Sequence, residues 1–169
     1  MKKNTQWLSL IISLPTANGT ARMRIWRALK ELGCGVLRDG VYLLPESEHA
    51  ATCLELQANE VIKAGGTALT VILSSTQEAQ DTEFRDLFNR IDEYATLKQD
   101  INAFLRTFPL QNVTVSKRTL KRLTRDFTAL SAIDFFPSSP RDQVALLLGK
   151  ATSQFFTTTN PDEPPSCQG

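Results

Sequence analysis

The sequence has one histidine, His49, and three cysteines, Cys34, Cys53 and Cys167, at wide spacing. An odd cysteine count with no regular spacing excludes a disulfide framework and fits a reducing, cytoplasmic setting. His49 and Cys53 lie one helical turn apart, but two ligands do not make a zinc site, and a helical histidine is the plainer reading. No acidic residue precedes Glu31. There is no G-x-x-x-x-G-K-[ST] loop, no G-x-G-x-x-G and no credible Ser-His-acid set. No enzyme activity, metal or cofactor is therefore expected. No apolar run is long enough to span a membrane, so no membrane partner is expected. Net charge is only +1. A nucleic-acid partner must therefore be argued from where the charges sit.

The 169 residues are 41% hydrophobic and 22% charged, as in a globular protein. The opening "MKKNTQWLSLIISLPTANG" has two lysines before an apolar run, as a signal peptide does. Ser9 and Ser13 interrupt that run and Pro15 ends it, so it reads as a strand over 7–14. Leu8, Leu10, Ile12 and Leu14 form one apolar face; Trp7, Ser9, Ile11 and Ser13 form a mixed one. Thr20 is placed to N-cap a helix that stops at Gly33. Strands at 34–38 and 41–44 flank Asp39-Gly40, a hairpin signal in which both turn residues take φ > 0. Ser47 opens a helix to about Ala64, ended by Gly65-Gly66, and "TALTVILS", 67–74, is a fourth strand.

This order, βαββαβ, predicts an α+β, ferredoxin-like antiparallel sheet with two helices on one face. The second face, with Trp7, Ile11, Tyr42 and Ile72, then needs a cover. Phe84, Leu87, Phe88, Ile91, Tyr94, Ile101, Leu105 and Phe108 predict one long helix ended by Pro109. Further helices follow from a Ser116 N-cap and from Ser139-Pro140. The expected organisation is a βαββαβ unit over 1–75, a C-terminal extension of about three helices packed on it over 76–156, and a disordered tail over 157–169.

Two basic faces stand out. On the first helix, Arg24, Arg27 and Lys30 oppose the apolar side, with Arg22 on the border and Arg38 on the hairpin. A solvated amphipathic face is the plain alternative. In "SKRTLKRLTRDFTAL", 116–130, Lys117, Arg118, Lys121, Arg122 and Arg125 fall within an arc of roughly 140° beside the stripe Leu120, Leu123, Phe127, Leu130. Either these cations pair with the acidic segment Glu78, Asp81, Glu83, Asp86, Asp92, Glu93, Asp100, or they meet a phosphate backbone. The ten cations Arg22, Arg24, Arg27, Lys30, Arg38, Lys117, Arg118, Lys121, Arg122 and Arg125 are the candidate DNA contacts. Trp7, Tyr42, Phe135 and Phe136 are candidates for a partner interface. RNA-recognition modules of the ferredoxin-like fold display aromatics on two central strands, and only Trp7 and Tyr42 qualify here.

The stretch "WLSLIISLPTANGTARMRIWRALKELGCGVLRDGVYLLP", with "IDFFP" about ninety residues later, resembles the N-terminal domain of the ChrB family. These are bacterial chromate-resistance proteins and chromate-responsive regulators. Looser similarity extends to the middle domain of PaaX-type repressors. The resemblance implies regulation of a chromate-efflux operon by binding double-stranded DNA. A second copy, or a separately encoded C-terminal ChrB-type region, is a further candidate partner. The alternative is a protein-interaction module that meets such a partner without touching DNA. Neither a chromate site nor any catalytic residue carries over.

Overall fold

The computed structural model describes residues 6–159. The strands are β1 (Gln6–Ser13), β2 (Gly35–Arg38), β3 (Val41–Pro45) and β4 (Thr67–Ser74). The helices are α1 (Gly19–Glu31), α2 (Glu48–Lys63), α3 (Glu78–Asp86), α4 (Ile91–Thr107), α5 (Val113–Ala132) and α6 (Ser139–Thr159), with a 3₁₀ turn over Phe108–Leu110. The chain divides into two compact units between Asn89 and Arg90. The first is a mixed α/β unit built on a four-stranded antiparallel sheet of order β2-β3-β1-β4. The second is all helical.

Sheet register decides which side chains share a face. Leu8 pairs with Leu44 and Ile72, and Leu10 with Tyr42. Directly opposed residues point the same way. Tyr42 and Ile72 therefore lie with Leu8 and Leu10, not with Trp7 and Ile11 as the sequence reading grouped them. The second face does receive its cover. Trp7, expected at an open interface, is fully buried, with Phe84 of α3 edge-on at 5.8 Å and Phe88 stacked at 5.5 Å. Gly35 makes this close approach possible, since a Cβ there would sit 2.9 Å from Leu87 Cβ and 3.0 Å from the Phe88 ring.

The single helix expected through Phe84–Phe108 is two. On a wheel at 100° per residue, Phe84 and Phe88 lie roughly 140° from the stripe Tyr94, Leu97, Ile101 and Phe104. One straight helix cannot serve both sets. The chain breaks at 87–90, and each half fills its own core. In the second unit, Tyr94, Leu97, Ile101 and Phe104 of α4 join Leu120 and Leu123 of α5 and Val144, Leu148, Ala151 and Phe155 of α6. Phe108 stacks on Phe104 at 5.2 Å where Pro109 ends the helix.

Capping follows the sequence only in part. The Ser47 hydroxyl accepts from Ala50 N–H at 3.0 Å, as expected. Asn18, not Thr20, precedes α1, and its amide spans to the Ala64 carbonyl at 2.9 Å. Asn112, not Ser116, caps α5, accepting from Thr114 N–H at 2.8 Å. Ser116 is buried one turn inside α5. Residues 157–159, assigned to the tail, complete α6, and the rest of that tail lies outside the described residues.

At the hairpin, only Gly40 has φ > 0, at 76°; Asp39 does not, and the β2–β3 register shifts between Val36 and Arg38. The turn is thus not the symmetric two-residue type. Gly40 also lies against β1: Ile12 N–H donates to its carbonyl at 2.7 Å, and a Cβ there would meet Ile12 O at 2.5 Å. Gly40→Val is expected to destabilise the protein through both a β-branched residue at positive φ and a backbone clash. A thermal melt unchanged from wild type would refute this account of the turn.

A pH effect follows from the contact between β1 and α3. Trp7 Nε1–H donates to Asp81 Oδ1 at 3.2 Å, and Arg85 Nε–H donates to Oδ2 at 2.9 Å. The Arg85 bond, with smaller help from Trp7 and Ser75, holds the Asp81 carboxyl below its usual value of 3.8, against desolvation. A depressed folded-state pKa gives stability that is present above the unfolded value and lost as pH falls through the folded one. The melting temperature is therefore expected to drop on acidification below the ordinary Asp range. Asp81→Asn should flatten that part of the profile; an identical acid profile would show that the carboxylate contributes nothing.

Candidate functional site

Charge divides between the two units more sharply than the whole-chain value suggests. Residues 6–89 hold seven Lys and Arg against ten Asp and Glu; residues 90–159 hold ten against six. Most of the second unit's excess sits on α5. Leu120 and Leu123 anchor this helix in the core. Their spacing fixes its rotation and turns the arc of Lys117, Arg118, Lys121, Arg122 and Arg125 to solvent, where all five are exposed. The other residues within the arc are Thr114, Thr128, Ala129 and Ala132, so it contains no acid.

The five cations are not equivalent. Arg122 bonds Asp126 at 3.2 Å and lies 3.6 Å from Asp100 of α4; Arg125 bonds Asp126 at 3.1 Å. Of the acidic segment proposed to neutralise this face, Asp100 reaches it. Asp81 takes Arg85, and Glu93 takes Arg90. Among the described residues, Lys117, Arg118 and Lys121 form no ion pair. They occupy the N-terminal half of the arc, farther from Asp126 in sequence.

The basic face of α1 is less available than it looked. Arg24 bonds Glu60 of α2 at 3.0 Å, a partner 36 residues away that sequence proximity did not reveal. Glu60 also takes Lys63 at 2.9 Å, and that hydrogen bond is the first cause of its lowered pKa. Arg22 donates to the Leu14 carbonyl at 3.1 Å and forms no ion pair among the described residues. Lys30 sits over the Trp26 ring at 5.1 Å. Arg27 and Arg38 are exposed without an ion pair among the described residues.

Arg22 lines a pocket of about 570 Å³ with Ile12, Leu14, Met23, Trp26, Asp39 and Tyr42. Tyr42, taken as an interface residue, is half-buried there on the α1 side of the sheet. Burial, then Asp39 and Cys34, push its hydroxyl pKa up. Trp26 is 40% exposed beside Arg22 in this pocket. An aromatic flanked by three arginines was the available signal. Of the "IDFFP" aromatics, Phe135 is exposed by about a third and Phe136 is half-buried. The neighbouring Asp134 is buried and accepts a 2.9 Å bond from the Tyr94 hydroxyl. His49 Nε2 and Cys53 Sγ lie 3.6 Å apart on α2, and no group of three or more ligating side chains occurs among the described residues. No described helix is long and apolar enough to cross a membrane.

Comparison with known proteins adds two findings. A family model described as "Protein ChrB, N-terminal" matches residues 22–158. Protein ChrB of Cupriavidus metallidurans is 32% identical over 165 residues, covering 98% of this chain and 51% of that protein. The chain thus spans about half the length of the curated relative it matches.

Proposed function

The chain belongs to the family of ChrB N-terminal regions, and from that premise we propose that it is a regulator, or part of one, linked to chromate resistance, that binds double-stranded DNA. The reading assigns it no catalysis. We read its βαββαβ unit, with strand order β2-β3-β1-β4, as ferredoxin-like. The observation that carries the DNA reading is the acid-free arc of α5, with three of its five cations outside any ion pair among the described residues. Uncompensated like charges on one face repel, and a polyanion relieves that repulsion. From Lys117 to Arg125 the arc runs about 12 Å along the helix axis, close to the width of the major groove. On this reading Arg27 and Arg38 are secondary contacts, and Arg24 contributes least because Glu60 already neutralises it.

A second reading keeps a protein partner in place of DNA. Its support is that Arg122 and Arg125 are already engaged by Asp100 and Asp126. Salt separates the two. Release of counterions from several phosphates makes DNA affinity fall steeply as salt rises, whereas a mainly apolar protein interface responds weakly. The test is a mobility-shift titration against DNA from upstream of the protein's own operon, repeated across a salt series. Steep salt dependence supports DNA contact. No shift even at low salt would overturn it.

A further inference from the structure

The two edges of the sheet, β2 and β4, are built differently. β2 has four residues, carries Arg38 and is interrupted by its register shift. Short, charged and irregular edges resist the addition of another strand. β4 has none of these protections. It runs eight residues in unbroken register with β1, from Thr67 to Ser74. No charged residue and no proline stands anywhere from Ala64 to Gln77. Leu69 and Ile72, on opposite faces, are each 58% exposed. Among the described residues, no backbone hydrogen bond reaches 67–74 other than the ladder to β1. An open edge of this length and composition leaves a row of N–H and C=O groups ready to pair.

We infer that β4 pairs antiparallel with β4 of a second copy across a two-fold axis, joining two sheets into one of eight strands. The strand is suited to itself. A two-fold contact sets each patch against the same patch, so any charge on the strand would meet its own kind nearby. β4 has no charge to repel. With the axis at Val71, Leu69 faces Leu73 and Thr70 faces Ile72, which shelters the exposed aliphatic side chains of both copies. A strand addressed to a different protein by electrostatics would carry a complementary charge, and this one carries none. The inference rests on the sheet alone and stands or falls separately from DNA binding.

The test is light scattering on the full chain across a concentration series, with amide hydrogen exchange at the same concentrations. The expected result is a dimer mass that falls to monomer on dilution, with alternate amides of β4 losing protection in step. Leu69→Lys/Ile72→Lys should be monomeric with an unchanged far-ultraviolet dichroism spectrum, since both side chains lie largely outside the core. A monomer at every concentration would overturn the inference. So would a dimer that survives the double substitution with its fold intact. If that variant misfolds, the exchange data on the wild type decide. Protection of alternate β4 amides that does not change with concentration would mean that a segment of the same chain fills the edge.

Discussion

Lys117→Glu/Arg118→Glu/Lys121→Glu is expected to bind duplex DNA about a hundredfold more weakly than wild type at low salt, with a similar loss for every sequence tested. The slope of log affinity against log salt should shrink by about three, one for each phosphate contact removed. These are the α5 cations without an ion-pair partner among the described residues, so no internal bond is sacrificed in changing them. All three are exposed, and the melting temperature should stay near wild type. Arg122→Glu/Arg125→Glu is the informative contrast. Asp126 already holds both arginines, and Asp100 lies close to Arg122. Part of their charge is therefore unavailable to a ligand, and the loss per residue should be smaller. Wild-type affinity and slope in the triple variant would sink the assignment of α5. Retained binding to a ChrB-type C-terminal partner by a protein that never shifts DNA would favour the second reading.

Trp7→Ala should cost the protein about 3–5 kcal/mol, the usual range for truncating a large buried aromatic. The indole fills the space between sheet and α3, touching Phe84 edge-on and stacking on Phe88 within 15° of parallel. Its N–H also supplies one of the bonds to Asp81. That loss is a large fraction of a small domain's total stability, so a shifted or vanished unfolding transition is expected in chemical denaturation. Trp7→Phe keeps most of the ring contact and loses the N–H bond, at about 1 kcal/mol. A loss below about 1 kcal/mol in the alanine variant would contradict a packed α3–sheet contact, since a cavity of that size cannot close at no cost.

Local signals in the sequence settled the local questions. Alternation at 7–14, the largely apolar run at 67–74, glycines at 33, 40 and 65, and the Ser47 cap sufficed to place four strands and two helices in order. Each depends on neighbours a few residues apart. The basic arc of α5 was legible for the same reason, because a helix converts spacing directly into direction. The family signature around Arg24–Pro45 was legible too, and the comparisons bear it out.

What the sequence could not show was every relation between distant segments. Sheet register moved Tyr42 and Ile72 to the face opposite Trp7. The cover for Trp7 came from α3, which periodicity had merged with α4; the phase jump between Phe88 and Tyr94 was present but is weak evidence without knowing that two cores exist. Glu60 neutralises Arg24 across 36 residues, and Asp100 rather than the whole acidic segment reaches Arg122. Propensity and periodicity act within a turn or a strand. Ion pairing, burial and the exposure of an edge depend on which elements the tertiary fold brings together, and so only the structure could separate the free cations of α5 from the engaged ones.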